Sequence, residues 1–300
     1  MASRCIIAAP ARSPSDRLTQ RDVSSFIPAC YHPPSRSASM ILPTVVAHRG
    51  ASGDTPENTL AAFDRAVALG CPDIELDVQV TRDGVPVVLH DTTLDRTTDV
   101  VAHAEVMGPS AGSGRTEGTR VDALTLAQLR TLDAGAWFGD QFAGQSVPSL
   151  EEVLARYVGQ ARFTVEIKVP GVGLEAKVLG LLTRYGMRSS ASLCSFLPEV
   201  LAALEPVAGS MPVWFNVPQL TQASIVEALR LRASGIAAPI ATLTTDKVAE
   251  AGDRGLLVAA WGMTSEAEVQ RATAWELDRV ICDRPDAVLG FINRSTAVRG

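Results

Sequence analysis

Short apolar runs alternate with longer amphipathic stretches along the chain from residue 41 onward. The apolar runs predict strands at residues 45–47, 74–80, 87–89, 163–167, 191–194, 213–215, 256–260 and 279–282. Residues between most of these runs repeat at helical spacing, which predicts helices at 150–157, 174–185, 198–204, 223–231 and 266–275. An earlier helix, with Thr55 as its cap, is predicted to stop at Gly70. One strand stays open, because residues 240–243 fit the pattern in place of 213–215.

The alternation of strands and helices predicts an α/β protein with parallel strands. Eight units in about 250 residues favour a closed TIM (β/α)8 barrel. An open doubly wound sheet is the runner-up, but the glycine-rich dinucleotide turn is missing after the first strand. Residues 91–147 interrupt the rhythm and predict a small insertion after strand 3, over the mouth of the barrel.

The first forty residues differ in composition from the rest of the chain. They are rich in Arg, Ser and Pro and contain no Glu or Lys. Such a segment buries too little apolar surface to offset its ordering entropy, so residues 1–40 are predicted to be a disordered, dispensable extension to a domain at 41–300. The composition suits translated upstream sequence before Met40, or an organelle transit peptide.

Charge and cysteine content narrow the function classes. The chain has 27 Lys and Arg against 33 Asp and Glu, a net charge of -6, which argues against nucleic acid or an anionic membrane as the main partner. No stretch approaches the roughly 18 apolar residues of a membrane span, so no stable membrane insertion is expected. The five cysteines show no C-x-x-C spacing, which indicates neither a disulfide framework nor a zinc site and favours the cytoplasm.

Carboxylates stand at the ends of two predicted strands. Glu75 and Asp77 are two residues apart, so they share one face of their strand, and Glu166 ends the strand after the insertion. Parallel barrel strands direct their carboxyl ends into the catalytic mouth. These three oxygen ligands suit one hard divalent cation, Mg²⁺ or Ca²⁺.

Histidines and basic residues stand at equivalent positions. His48 ends the first predicted strand and His90 the third, which supplies a general acid and a general base near neutral pH. Arg49 and Lys168 offer positive charge to a phosphate. With the cation site, this set predicts phosphodiester cleavage.

Other polar residues at strand ends have simpler interpretations. Glu57 is as well explained as a first-turn helix acid as a site residue. Asp91 and Asp95 are interpreted as turn residues with Arg96 as their partner, and Asp283 fits a turn before Pro285 as well as it fits the site.

The motifs as a set closely resemble those of the glycerophosphodiester phosphodiesterase family. The segments that carry the resemblance include VAHRG at 46–50, PENT at 56–59, ELDV at 75–78, VVLHD at 87–91, EIK at 166–168 and CDRP at 282–285. The resemblance covers residues 45–289 and departs from the family pattern toward the carboxyl end, where Trp261-Gly-Met-Thr and Cys282 replace the usual residues. The head-group preference is therefore left open.

The resemblance implies a TIM barrel that hydrolyses glycerophosphodiesters to an alcohol and sn-glycerol 3-phosphate with a divalent cation. It implies that His48 and His90 are the acid/base pair and that Arg49 and Lys168 contact phosphate. The carboxylates at 75, 77 and 166 become the metal ligands. Attack by the glycerol 2-hydroxyl would form a cyclic phosphate that water opens. Trp261 is expected to pack against glycerol, with Glu57 in a secondary role.

Two alternatives are left open by the sequence. A lysophospholipase D or a cyclising phosphodiester lyase uses a similar barrel, although no basic amphipathic segment for membrane docking is evident. A protein that binds a phosphodiester without cleaving it would not need two histidines. Accumulated cyclic phosphate would indicate the lyase, and an intact diester after long incubation would indicate the binding protein.

Overall fold

The computed structural model describes residues 42–103 and 118–297, with side chains described up to residue 294. The predicted extension at residues 1–40 lies outside the described residues. So does the middle of the predicted insertion, residues 104–117.

Eight parallel strands close into a ring. The strands of the described residues are β1 Thr44–Ala47, β2 Asp73–Val80, β3 Pro86–Val88, β4 Arg162–Ile167, β5 Ala191–Ser195, β6 Val213–Asn216, β7 Gly235–Pro239, β8 Leu257–Trp261 and β9 Arg279–Cys282. All except β3 pair in parallel around the ring, and β1 closes it by pairing with both β9 and β2. This is the predicted TIM barrel, and the alternative of an open doubly wound sheet is wrong.

Helices follow most of the barrel strands. They are α1 Leu60–Ala68, α2 Leu126–Leu129, α3 Leu150–Tyr157, α4 Leu174–Arg184, α5 Pro198–Leu204, α6 Gln222–Arg230, α7 Thr245–Asp253, α8 Glu266–Ala274 and α9 Pro285–Ala297. Several begin at a Ser or Thr side chain that accepts from the third backbone N–H, as Ser149 does for α3. Thr59, not Thr55, caps α1. The later start leaves residues 56–58 as a loop at the mouth of the barrel.

The third and seventh strands differ from the prediction. β3 is antiparallel to β2, with Val78 opposite Val88, so the run at 87–89 belongs to a hairpin and not to the barrel wall. The missing wall strand is β7, whose sequence Gly-Ile-Ala-Ala-Pro carries a weak apolar signal. Residues 213–215 do form a strand, whereas Ile240–Thr242 form a 3₁₀ helix. The predicted insertion at residues 91–147 therefore follows β3, the second strand of this hairpin.

Two large apolar clusters stabilise the described fold, beside a third, small one around Trp214. The larger lies between the barrel and its helices, where Phe63, Tyr157 and Phe163 pack edge to face with ring centroids 6.0 to 6.3 Å apart. The smaller includes Val87, Leu94 and Leu129, so the described part of the insertion has its own buried core. In the described ranges, no helix has the length and apolarity that a membrane crossing requires.

Candidate active site

A cluster of three buried carboxylates lies at the mouth of the barrel. Glu75, Asp77 and Glu166 each offer an oxygen within 4.8 Å of the others, and each residue is at most 6% exposed. Adjacent strands bring them together, because Asp77 of β2 is registered directly with Glu166 of β4. The predicted carboxylate set is therefore one physical cluster.

The electrostatics of this cluster favour a bound cation. Burial, followed by the charge of Asp77, raises the pKa of Glu75 to about 8. Burial likewise raises the pKa of Glu166. Although burial opposes it, the positive charges of Lys168 and Arg49 lower the pKa of Asp77. Like charges crowded in a buried site are costly unless a cation neutralises them.

The oxygens of the cluster fit a hard divalent cation. Oδ1 of Asp77 is buried and accepts no hydrogen bond from the described residues, although Nζ of Lys168 lies 3.3 Å from it. The described cluster contains no Cys or His ligand, and carboxylate oxygens are what Mg²⁺ and Ca²⁺ prefer. These residues can therefore hold a metal ion.

Two asparagines orient the carboxylates. Asn58 donates from Nδ2 to Oδ2 of Asp77 at 2.8 Å, and Asn216 donates from Nδ2 to Oε2 of Glu166 at 3.3 Å. Asn58 has φ 58°, a conformation that Asn adopts more readily than most residues. Sequence reasoning did not assign Asn216 to the site; its position at the end of β6 was the available signal.

His48 lies directly after β1. Its backbone N–H donates to the carbonyl oxygen of Cys282 at 2.9 Å, and its Nδ1 lies 2.6 Å from Oδ1 of Asp283. Burial alone would lower the pKa of His48, but the hydrogen bond to Asp283 and the charge of Glu75 outweigh burial and raise it. Asp283 is thus more than a turn residue, because it holds the imidazole.

His90 reaches the same mouth through the β2–β3 hairpin. The antiparallel strand returns the chain to the level of Asp77, where Nδ1 of His90 lies 2.6 Å from Oδ1 of Asp91. Burial lowers the pKa of His90, and the positive charges of Lys168 and Arg49 add to this effect. Both histidines are held at Nδ1 by a carboxylate, and both line one cavity.

The predicted basic residues sit against the carboxylate cluster. Nζ of Lys168 is 2.8 Å from Oε1 of Glu166, and Nε of Arg49 is 3.3 Å from Oδ2 of Asp77. The backbone N–H of Arg49 donates to Oε2 of Glu75 at 3.0 Å from a left-handed conformation with φ 56°.

Glu57 links Arg49 to the His90 side of the mouth. It accepts from Nη1 of Arg49 at 2.8 Å and from two nitrogens of Arg96 at 2.7 and 2.8 Å. Arg96 also donates from Nε to Oδ2 of Asp91 at 2.6 Å. The predicted pairing of Arg96 with Asp91 is confirmed, whereas Asp95 accepts a hydrogen bond from the backbone N–H of Thr119 at 2.8 Å. The site interpretation of Glu57 is favoured over the helix-acid interpretation because α1 begins only at Leu60.

Trp261 is the last residue of β8 and lines the cavity with Phe196. Their ring centroids are 6.4 Å apart with planes at 76°, and Phe196 is 39% exposed. The cavity has a volume of about 180 Å³. It therefore offers an aromatic wall beside the histidines and the carboxylates.

A closed barrel with carboxylate-held histidines and a carboxylate cluster at one mouth defines a TIM-barrel protein with titratable groups and a candidate cation site at that mouth. The model of the glycerophosphoryl diester phosphodiesterase family matches residues 48–287. The chain belongs to this family and is a hydrolase of the phosphodiesterase class.

Named relatives agree with this assignment. A glycerophosphodiester phosphodiesterase of Caldanaerobacter subterraneus subsp. tengcongensis is 32% identical over 259 residues, covering 83% of this chain and 98% of the relative. One from Bacillus subtilis is 31% identical over 261 residues, covering 80% of this chain and 83% of the relative.

Solved structures share the fold. An Oleispira antarctica phosphodiesterase in complex with the product sn-glycerol-3-phosphate is 27% identical, with a TM-score of 0.69 over 84% of this chain and 97% of that chain. A glycerophosphodiester phosphodiesterase from Agrobacterium tumefaciens is 32% identical, with a TM-score of 0.68 over 82% of this chain and 98% of that chain.

Proposed function

We propose that this protein hydrolyses glycerophosphodiesters to an alcohol and sn-glycerol 3-phosphate, with a divalent cation and with His48 and His90 as the acid/base pair. The observation that carries the proposal is that two carboxylate-held histidines share one cavity with the buried carboxylate cluster. Family membership supports the substrate class, and the bound product of the Oleispira antarctica relative agrees with it.

Glu75, Asp77 and Glu166 would hold the cation, Mg²⁺ or Ca²⁺. When bound, it supplies positive charge that stabilises the phosphorane-like transition state. Arg49 and Lys168 are the proposed phosphate contacts, since both place their charge at the edge of the carboxylate cluster.

The two histidines are proposed to act in opposite roles. Nδ1 of each is bonded to a carboxylate, which leaves Nε2 to exchange a proton with substrate. Where the surroundings raise the pKa of one group and lower that of the other, the group with the higher pKa suits the acid and the group with the lower pKa suits the base. The lowered pKa of His90 suits the first base, and the raised pKa of His48 suits the first acid.

In the first step, Nε2 of His90 takes the proton of the glycerol 2-hydroxyl, whose oxygen attacks phosphorus. The bond from phosphorus to the alcohol oxygen breaks, and His48 donates a proton to that oxygen. A cyclic phosphate remains. In the second step, His48 takes a proton from water, the water oxygen attacks phosphorus, and His90 returns its proton to the 2-oxygen as the ring opens.

The aromatic wall and the network around Glu57 would support this chemistry. Trp261 and Phe196 are proposed to pack against the glycerol carbons. Glu57 is proposed as a positioning residue, because it fixes Arg49 and connects through Arg96 to Asp91.

Two features outside the site complete the proposal. Residues 1–40 are proposed to be dispensable, because the family match begins at residue 48. A cytoplasmic setting is proposed, because Cys71, Cys194 and Cys282 are free and buried.

The proposal is tested by assaying glycerophosphocholine, -ethanolamine, -glycerol and -inositol with Mg²⁺, with Ca²⁺ and with a chelator. We expect metal-dependent release of sn-glycerol 3-phosphate. Cyclic phosphate as the end product would instead indicate the lyase, activity restricted to lysophospholipids would indicate the lysophospholipase D, and tight binding without turnover would indicate the binding protein.

A further inference from the structure

The cavity extends below the carboxylate cluster to a polar floor inside the barrel. Arg279 begins β9, and with Thr164 and Trp214 it lines this floor. Thr164 and Glu166 are two residues apart on β4, so the floor lies one inward-facing layer, about 7 Å, below the carboxylates. A small ligand at the mouth can therefore extend to the floor.

Hydroxyls and an aromatic ring fix the guanidinium of Arg279. Nη1 donates to Oγ1 of Thr164 at 3.1 Å and to Oγ of Ser192 at 2.9 Å. The guanidinium carbon lies 4.6 Å from the ring centroid of Trp214. Gly235 makes room for this ring, because a Cβ at that position would lie 2.6 Å from it.

Arg279 has no carboxylate partner among the described residues. None of their ion pairs includes it, and its hydrogen bonds to them use Nη1 alone. Two nearby carboxylates act on the charge of Arg279, and both have other partners: Asp73 is bound by Arg162, and Asp278 accepts a hydrogen bond from the backbone N–H of Val258 at 2.7 Å. Burial lowers the pKa of Arg279, which reflects the cost of keeping this cation inside the barrel.

Small side chains form the rest of the wall around this floor. Ala237 of β7 and Ala259 of β8 line the same cavity and pack with Trp214 and Cys194 in a small apolar cluster. The indole N–H of Trp214 is buried and has no hydrogen-bond partner in the described part of the chain. The floor thus carries the positive charge of Arg279, and the layer above it carries the carboxylate cluster together with Arg49 and Lys168.

We propose that the floor is a binding site for a carboxylate on the alcohol part of the diester, with Arg279 as the residue that determines this specificity. A guanidinium presents parallel N–H groups that match a carboxylate, and Nε and Nη2 are available for such a pair. The inference rests on the proposed function, because it assigns the leaving alcohol to the inner end of the cavity. The favoured substrates are diesters of hydroxy acids.

Glycerophosphoserine and glycerophosphoethanolamine form the matched test pair, since they differ by one carboxylate. We expect the wild-type kcat/KM to favour glycerophosphoserine by about tenfold or more, the value of a charge-assisted pair. Arg279→Gln should reduce the ratio to about one, and Arg279→Lys should retain part of it. Arg230→Gln, a change at an exposed arginine that ends α6 and pairs with Glu227, is the control and should keep the wild-type ratio.

Calorimetric binding of the same two diesters to metal-free protein decides the inference independently of turnover. We expect tighter binding of glycerophosphoserine by a similar factor, and loss of that factor in Arg279→Gln. Equal affinities in the wild type, or an unchanged preference in Arg279→Gln, would overturn the inference. If free serine binds at Arg279 but the two diesters bind with equal affinity, the assignment of this site to the alcohol part of the diester is overturned. Absence of hydrolysis with a retained binding preference would reject the proposed function alone.

Discussion

Replacing Asp283 with Asn removes the negative charge that holds Nδ1 of His48 at 2.6 Å. That contact raises the pKa of His48 against the effect of burial. If His48 is the first acid, activity declines as the pH rises through its pKa. Asp283→Asn lowers that pKa, so the alkaline limb of the kcat/KM profile should move to lower pH.

The size of the effect follows from the contact and its exposure. A hydrogen bond to a charged group contributes about 1.5–3 kcal/mol. The Asp283 side chain is 63% exposed, so solvent screening places the contact at the lower end of that range. We therefore expect kcat/KM to fall at least about tenfold at the optimum pH, and further if Asn favours the wrong imidazole tautomer.

Asp91→Asn is the matched perturbation on the other histidine. Asp91 holds Nδ1 of His90 at the same distance of 2.6 Å and offsets part of the lowering of the His90 pKa by burial. If His90 is the first base, activity rises as the pH increases through its pKa. The variant should therefore move the acid limb to lower pH and leave the alkaline limb in place.

The assay is the pH profile of kcat/KM for release of sn-glycerol 3-phosphate. Ser52→Ala is the control, because Ser52 also donates to Oδ1 of Asp283, at 3.2 Å, but does not contact the imidazole in the described hydrogen bonds. Its profile should resemble that of the wild type. The role assignment is refuted if Asp283→Asn and Asp91→Asn move the same limb, or if neither variant changes its limb.

Two further predictions concern stability. Burial raises the pKa of Glu75 from an ordinary 4.5 to about 8 in the metal-free protein. Between pH 4.5 and pH 8 the folded state therefore keeps a proton on Glu75 that the unfolded state has lost. The free energy of unfolding falls as the pH rises through this range. The cation concentration is held fixed at about 100 times the Kd measured at pH 8.5. A divalent cation should then raise the melting temperature by about 5–10 °C at pH 8.5 and by less at pH 6.5. Glu75→Gln should lose this pH dependence, and an equal rise at both pH values would contradict the prediction. Phe63→Ala removes a fully buried ring between Tyr157 and Phe163 and should cost about 3–5 kcal/mol of unfolding free energy. Val226→Ala, at a residue that is 48% exposed, is the control, and a similar loss there would contradict the core assignment.

Residues on the barrel wall were predictable because strand periodicity and strand direction together determine where a side chain points. Glu75, Asp77 and Glu166 follow from those two rules alone. β7 was missed because Gly235, Ala237 and Ala238 carry too little apolar signal to distinguish a strand from a loop.

The contacts that orient the site residues were harder to predict. Asp283 contacts a histidine 235 positions earlier, and nothing local in the sequence distinguishes it from a turn residue. Asp91 is adjacent to His90 in the sequence, but an Asp at this position is explained by a turn alone, so its contact with Nδ1 of His90 was not predicted. Arg279 is the first residue of β9, and only the pairing register of that strand, which the sequence does not reveal, shows that its side chain faces the inside of the barrel.

The central claim is that two histidines at the barrel mouth cleave a glycerophosphodiester with a divalent cation. Its most direct test is ³¹P NMR of glycerophosphoethanolamine incubated with Mg²⁺ and with wild-type, His48→Ala, His90→Ala or His103→Ala protein. His103 pairs with Asp99 in the insertion and is the control histidine. We predict conversion to sn-glycerol 3-phosphate by the wild type and His103→Ala, and an intact diester with His48→Ala, with His90→Ala or with chelator. Full conversion by either mouth variant, when correctly folded, would contradict the account.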